Sequence, residues 1–184
     1  SDEKSKATLL KEEIMMKGSK GAATLNAEEI KKADDFCVGY KKFLDHSPVE
    51  REAASYTLEL AKKAGFTEYD ENASYNAGDK VYYVNRDKAI ALVVIGKNGV
   101  KNGARLAIAH IDSPRIDLKP NPLYEDTNLA LFKTHYYGGL KKYQWTALPL
   151  SLHGTVVKLD GTKVNITWGD DENESCFCVT DLLP

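Results

Sequence analysis

The order of hydrophobic patterns along this 184-residue chain constrains its fold more than any other feature. Residues 1–25 are poorly patterned, helical spacing dominates from residue 26 to about residue 65, and β-type runs follow. Asn26 predicts the N-cap of one helix, with Glu29 three residues later as its capping-box partner. Ser47 and Pro48 predict the start of a second helix, which Gly65 ends. The second helix is predicted to bury four residues at helical spacing: Ala53, Tyr56, Leu60 and Ala64.

Strand patterns come next. Residues 80–85 (KVYYVN) are rich in β-branched and aromatic side chains. Residues 89–96 (AIALVVIG) are apolar almost throughout, as in a strand that is covered on both faces. A third strand is predicted over residues 105–110 (RLAIAH). Helices followed by buried strands predict an α/β layered fold.

Three prolines change the pattern after residue 110: Pro114, Pro120 and Pro122. Prolines are excluded from central strands, so we interpret this stretch as a crossing into a second structural unit. Further along, residues 150–159 and 162–168 flank an Asp-Gly turn and predict a β-hairpin. A short strand is predicted over residues 176–180. The predicted division of the chain is therefore 1–114 and 115–184.

The composition excludes several classes of function. Lys and Arg total 25 against 27 Asp and Glu, and the net charge of -2 offers no electrostatic footprint for nucleic acid or an anionic membrane. The longest apolar run, residues 89–96, is far shorter than the roughly 20 residues of a membrane span. Three cysteines cannot form a disulfide framework, and we expect a reduced, cytoplasmic protein. We predict neither a nucleic-acid partner nor a membrane partner.

His110 and Asp112 are the residues with the strongest chemical signal. They follow an apolar run with one residue between them, so on a strand both side chains point to the same face. An imidazole can bind a metal ion through one nitrogen while a nearby carboxylate fixes the other nitrogen. Ligands of open α/β sheets also collect at the carboxyl ends of strands. The spacing alone fits a histidine that a neighbouring aspartate satisfies equally well.

The longer strings around this pair, AHIDSPRIDLKPNPLYED and THYYGGLKKYQW, closely resemble the aspartyl aminopeptidase / aminopeptidase I family of metallopeptidases. The resemblance covers about residues 47–184. It implies an α/β/α catalytic domain interrupted by an inserted β-rich dimerisation domain. Residues 1–114 would form the N-terminal part of the catalytic domain, and residues 115–184 the first part of the insertion. The implied activity is a zinc-dependent metalloaminopeptidase that hydrolyses N-terminal residues from peptides with water activated by two metal ions.

By the same resemblance, His110 is the first metal ligand and Asp112 is the catalytic-site carboxylate that orients it. The family's other ligands come later in the chain, so we expect a piece of a longer enzyme that is inactive alone. The resemblance also implies peptide substrates and self-association into a large homo-oligomer. The alternative is a non-catalytic assembly module whose β-rich part mediates subunit contacts.

Other candidates have structural interpretations beside the chemical ones. His135 precedes two glycines and is either a ligand-facing residue or a hydrogen-bonded turn residue. His153 alternates with apolar residues and is interpreted as a packed or edge histidine. Cys176 and Cys178 are interpreted as packed or edge thiols. Four aromatic residues are interpreted as an interface or core patch: Tyr136, Tyr137, Tyr143 and Trp145.

Overall fold

The structure is a computed structural model that describes residues 4–16, 18 and 21–180. The chain forms two compact units, residues 1–42 and 43–184. None of the helices in the described ranges has the length and hydrophobicity that a bilayer crossing requires. The predicted domain boundary between residues 114 and 115 stays a prediction.

Two helices contribute to the first unit. Helix α1 (Lys6–Ile14) begins after Ser5, whose hydroxyl oxygen accepts a hydrogen bond from the Thr8 amide at 3.2 Å. Helix α2 (Ala27–Asp45) follows a short 3₁₀ turn. Its predicted capping box is confirmed. The Glu29 amide donates to Oδ1 of Asn26 at 3.0 Å, and the Asn26 amide donates to Oε2 of Glu29 at 2.9 Å.

Helix α3 (Glu50–Lys63) begins later than the sequence predicts. Its N-cap is Val49, which provides no side-chain cap, so the predicted start at Ser47 and Pro48 is wrong. The Ser47 amide donates to the Leu44 carbonyl at 3.1 Å and thereby closes the turn that follows α2. The Ser47 hydroxyl is buried and has no hydrogen-bond partner within the described part of the chain.

The end of α3 is confirmed at Gly65, whose φ is +83°. The amide of Gly65 donates to Lys62 and the amide of Phe66 donates to Ala61, each at 3.0 Å, which is the Schellman pattern. The predicted buried stripe is only partly right. Ala53 is buried as predicted, but Leu60 is 42% exposed, and Ala54 and Ala61 are buried instead. The alanine face allows α3 to pack closely on the sheet.

That sheet has the strand order β1–β2–β3, formed by Thr67–Glu68, Lys80–Asn85 and Ala89–Val94. Strand β1 is parallel to β2, and β2 is antiparallel to β3. Val81 and Tyr82 of β2 lie in the core with the alanines of α3. The strand over residues 80–85 is confirmed, and the strand over 89–96 forms as far as Val94. The predicted cover on both faces of β3 is wrong for the described residues, because Leu92 is 44% exposed and Val94 is 57% exposed.

The predicted third strand over residues 105–110 is wrong. No strand forms there, since no described residue pairs its backbone with this segment. Leu106 and Ile108, the residues that prompted the prediction, are 79% and 87% exposed. An alternating pattern indicates a strand only when a neighbouring strand can complete the ladder.

Two antiparallel pairs follow. Strand β4 (Arg115–Asp126) pairs with β5 (Leu129–Tyr137), and the register shifts between Leu118 and Leu123. Pro120 and Pro122 lie in this irregular stretch of β4. The crossing into a second structural unit that the prolines predict stays a prediction.

Strands β6 (Leu152–Val157) and β7 (Lys163–Trp168) form the predicted hairpin with shorter strands than expected. The strand predicted over residues 176–180 is reduced to isolated bridges, Leu150 with Phe177 and Thr146 with Val179. These described residues form no continuous strand, because each bridge pairs only one residue and is not extended to its neighbours. The mixture of helices and strands confirms the predicted α/β class.

Candidate functional site

His110 and Asp112 contact each other as the sequence predicts, although they lie on an extended segment without strand pairing. Nδ1 of His110 is 3.0 Å from the backbone oxygen of Asp112 and 3.1 Å from its carboxylate Oδ1. Both oxygens are acceptors, so Nδ1 carries the proton and donates. In the neutral imidazole this tautomer leaves the lone pair on Nε2. The imidazole is 82% exposed, so Nε2 is accessible from solvent.

The second carboxylate oxygen of Asp112 has a partner from β5. The hydroxyl of Tyr137 donates to Oδ2 at 2.8 Å, although 25 residues separate the two in the sequence. This hydrogen bond is the main reason that the pKa of Asp112 lies below its ordinary value. The same carboxylate raises the pKa of Tyr137, first because the hydroxyl must keep its proton to donate the hydrogen bond, and second because a phenolate would bring two negative charges together. Asp112 therefore stays ionised and accepts from both neighbours.

Tyr137 is a member of the site that the sequence does not reveal. From the sequence it belongs to an aromatic patch without a specific partner. The pairing of β4 with β5 is the signal that would have found it, because Arg115 lies directly opposite Tyr137 in the register. Arg115 follows Asp112 by three residues, so the register brings Tyr137 close to the carboxylate.

Arg115 packs on the ring of Tyr137, with its guanidinium carbon 4.1 Å from the ring centroid. Nε of Arg115 donates to Oδ1 of Asp117 at 2.8 Å, and another guanidinium nitrogen is 3.5 Å from Oε2 of Glu50. Glu50 is the first residue of α3 and also pairs with Lys88 at 3.3 Å. Burial raises the pKa of Glu50, but its backbone amide together with Arg115 and Lys88 lowers that pKa more, below its ordinary value.

The other histidines lie in different surroundings. The ring of His46 stacks on Tyr56 with centroids 4.5 Å apart. Nδ1 of His135 is 3.3 Å from the Tyr136 carbonyl oxygen, but His135 lies within β5, so its interpretation as a turn residue is wrong. His153 is nearly buried, as predicted for a packed histidine. Its ring also contacts two carboxylates that the sequence pattern does not predict, those of Glu52 and Asp170.

The donor set at His110 fits one corner of a metal site. Within the residues that the structure describes, no three His, Cys, Asp or Glu side chains are arranged to hold an ion. Nε2 of His110 has the lone pair and exposure that a zinc ligand needs, and Asp112 fixes the opposite nitrogen. Cys176 and Cys178 are exposed, and neither belongs to a cluster of three possible metal ligands in the described part of the chain. The chain can therefore supply one oriented imidazole ligand.

Comparison with known proteins gives this geometry a context. The family described as aminopeptidase I zinc metalloprotease (M18) matches residues 43–184. A curated relative, the probable M18 family aminopeptidase 1 of Borrelia garinii subsp. bavariensis, is 46% identical over 161 residues. That alignment covers 88% of this chain and 35% of the relative.

Solved structures agree with the sequence comparison. The crystal structure of aminopeptidase I from Borrelia burgdorferi B31 has a TM-score of 0.83 and 42% identity, covering 89% of this chain and 41% of that chain. The M18 aminopeptidase from Thermotoga maritima has a TM-score of 0.81 and 40% identity, covering 92% of this chain and 37% of that chain. This chain thus spans about a third of the length of the curated relative. With the family match over residues 43–184 and this agreement in fold, the chain belongs to the aminopeptidase I zinc metalloprotease family (M18).

Proposed function

We propose that this chain contributes one corner of the active site in a zinc-dependent aminopeptidase, a hydrolase that removes single residues from the N-termini of peptides. The observation that carries the proposal is the tautomer of His110. Its Nδ1 is held by Asp112 at 3.0 Å and 3.1 Å, and its Nε2 faces solvent within a region that matches a zinc metalloprotease family.

In this proposal His110 is a zinc ligand through Nε2, and Asp112 orients it. Two bound zinc ions would supply the chemistry that activates water and stabilises charge on the scissile carbonyl oxygen. The oxygens of Asp112 accept a hydrogen bond from Nδ1, which fixes the tautomer whose lone pair is on Nε2 and raises the basicity of Nε2 as a ligand. The carboxylate itself stays ionised because Tyr137 donates to its other oxygen.

The remaining ligands and the general base would come from chain outside these 184 residues. A catalytic zinc site uses about three protein ligands, and His110 is a single ligand. The alignment with the Borrelia garinii relative covers 35% of that protein, which leaves room for them. We therefore propose that the 184-residue chain alone lacks peptidase activity.

We also propose that residues 1–114 belong to the catalytic domain and that residues 115–184 begin an inserted dimerisation domain. Supporting this, the pair β4–β5 carries exposed apolar side chains, among them Leu123 at 67% and Leu129 at 56% exposure. Apolar and aromatic side chains of this kind are favoured in subunit interfaces. The whole protein would be a large homo-oligomer, and light scattering at micromolar concentration tests this, since a monomeric mass would contradict it.

We propose a cytoplasmic location as well. The three cysteines are free and exposed, and Cys176 and Cys178 are separated by a single residue. Free exposed thiols persist in a reducing compartment. Fractionation of cells followed by detection of the protein tests this, and recovery from an oxidising compartment would contradict it.

The test of activity uses the whole protein, purified without metal and reloaded with zinc. Chromogenic amides of Asp, Glu and Leu serve as substrates, and the matched N-acetylated amides serve as controls. Hydrolysis of the free amides alone, abolished by a chelator and restored by zinc, is expected. The aminopeptidase proposal is wrong if the zinc-loaded protein hydrolyses neither these amides nor any peptide with a free N-terminus. The non-catalytic assembly module then becomes the better interpretation. Activity of the 184-residue chain alone would contradict the proposal that it lacks the remaining ligands.

A further inference from the structure

The orientation of the Asp112 carboxylate depends on contacts with other residues. Residues 104–114 form neither helix nor strand, so no ladder of backbone hydrogen bonds fixes this segment. The carboxylate is instead held at both oxygens. Oδ1 accepts from His110, and Oδ2 accepts from the Tyr137 hydroxyl at 2.8 Å. The tyrosine is thus the contact that ties the His110 pair to an ordered strand.

The position of Tyr137 is itself well determined. Its Cα pairs with that of Arg115 at the end of the β4–β5 ladder, and the guanidinium of Arg115 covers its ring at 4.1 Å. Asp117 and Glu50 hold that guanidinium from two sides, from β4 and from the start of α3. The ring therefore has restricted freedom, and so has the hydroxyl that it carries.

The chain also turns sharply just after Tyr137. Gly138 has φ of +79°, and a Cβ on it would lie 3.4 Å from Pro114. Pro114 follows Asp112 by two residues, so the end of β5 passes close to the segment that carries the His110 pair. This close passage accounts for the short distance between a hydroxyl on β5 and a carboxylate on the unpaired segment.

We propose that Tyr137 is a positioning residue for the metal ligand: its hydroxyl fixes the carboxylate of Asp112, which in turn directs Nε2 of His110 toward the metal. The proposal rests on the proposed function of His110 as a zinc ligand. Tyr137 contacts neither substrate nor metal in this role. It acts through Asp112, and its contribution comes from the hydroxyl and not from the ring.

Tyr137→Phe isolates that contribution. The substitution keeps the ring on which Arg115 packs and removes a single oxygen atom from a side chain that is partly exposed. Tyr136→Phe is the matched control, because Tyr136 is the preceding residue of β5, is 56% exposed and has Lys142 over its ring at 4.8 Å. Both variants are made in the whole protein.

Two measurements are made on the metal-free wild-type protein and on both metal-free variants. Zinc affinity is measured by competition with a chromophoric chelator, and the His110 tautomer is read from ¹⁵N chemical shifts of labelled imidazoles. We expect Tyr137→Phe to weaken zinc binding about tenfold, at the lower end of the effect of outer-shell changes. We also expect its His110 signals to shift toward an averaged tautomer. Tyr136→Phe should match the wild type in both measurements. Unchanged zinc affinity and unchanged ¹⁵N shifts in Tyr137→Phe would overturn the proposal.

A double substitution tests whether Tyr137 acts through Asp112. In an Asp112→Asn background, Tyr137→Phe should weaken zinc binding less than twofold further, because the carboxylate that it positions is gone. A full tenfold loss in that background would show that Tyr137 acts by another route. These readouts separate the two proposals: a wild-type protein that binds zinc but cleaves no peptide refutes the aminopeptidase function, while zinc affinity still tests Tyr137.

Discussion

Glu52 of α3 and His153 of β6 are 101 residues apart in the sequence, yet Oε1 of the glutamate lies 3.0 Å from Nδ1 of the histidine. On the other side of the ring, Nε2 is 3.2 Å from Oδ1 of Asp170 and 3.0 Å from the Ser151 hydroxyl. Both ring nitrogens therefore face carboxylates, and the His153 side chain is only 9% exposed. This arrangement suits an imidazolium that donates from both nitrogens, and it joins the β6–β7 hairpin to α3.

The His153 contacts predict a pH-dependent stability. Burial lowers the pKa of His153, but the hydrogen bonds and charges of Glu52 and Asp170 raise it more, above its ordinary value. Because the folded-state pKa is raised, the protonated His153 stabilises the fold. This contribution is complete below the unfolded-state pKa of about 6.5 and is lost as pH rises through the folded-state pKa. We expect the Tm of the protein to fall as pH rises from about 6.5 through the folded-state pKa of His153.

His153→Gln should remove that part of the pH dependence, because glutamine does not titrate. His135→Gln is the control, since His135 contacts a backbone carbonyl at 3.3 Å and forms no ion pair within the described ranges. Thermal unfolding of both variants across this pH range checks the prediction. A slope in His153→Gln equal to that of the wild type would contradict it.

A second prediction concerns His110→Ala. Because the imidazole is 82% exposed, its loss should leave the thermal unfolding of the metal-free protein close to that of the wild type. The zinc content after purification, measured by elemental analysis, should fall, and peptidase activity should be lost. Asp112→Asn should be milder, with a loss of about 10–100-fold in affinity or activity. Retention of full metal content and turnover by His110→Ala would refute its role as a ligand.

A third prediction compares Gly65, which has a positive φ, with Gly39, which lies inside a helix. Gly65 ends α3 with φ of +83°, so Gly65→Ala should lower the free energy of unfolding by about 1–2 kcal/mol through backbone strain. Gly39 lies inside α2, where an added Cβ would meet nothing within 4 Å. Gly39→Ala should stabilise that helix by up to about 1 kcal/mol. Urea unfolding midpoints should therefore move in opposite directions, and movement in the same direction would contradict this account of Gly65.

A fourth prediction addresses the capping box of α2. Asn26→Ala removes the acceptor for the Glu29 amide and should weaken the first turn by about 1 kcal/mol. Amide hydrogen exchange at Glu29 should then accelerate roughly fivefold, which corresponds to that free energy. Asn26→Ser keeps a hydroxyl acceptor and should exchange close to the wild-type rate. Equal acceleration in both variants would indicate that the cap does not protect this turn.

Local signals predicted the parts of the fold that local interactions determine. The cap at Asn26, the stop at Gly65 and the β6–β7 hairpin depend on residues within a few positions of each other. Their energies arise inside one element, so spacing and turn chemistry suffice to find them. The start of α3 was missed because Ser47 closes the preceding turn, which composition does not reveal.

The features that could not be predicted from the sequence depend on contacts between residues far apart in the chain. The segment over residues 105–110 has a strand-like pattern, but a strand also requires a neighbour. At the candidate site, His110 and Asp112 were predicted because one residue separates them. Tyr137 and Glu52 were missed because only the β4–β5 register and the docking of the β6–β7 hairpin bring them to their partners.

The irregular stretch of β4 has a consequence for the free edge of the β4–β5 ribbon. Between Leu118 and Leu123 the ladder with β5 is interrupted, and Pro120 and Pro122 have no amide hydrogen to offer to any strand. A chain that added to the β4 edge would lose its backbone pairing midway along that edge. The β4 edge is therefore a poor template for a further strand, although the ribbon carries exposed apolar side chains.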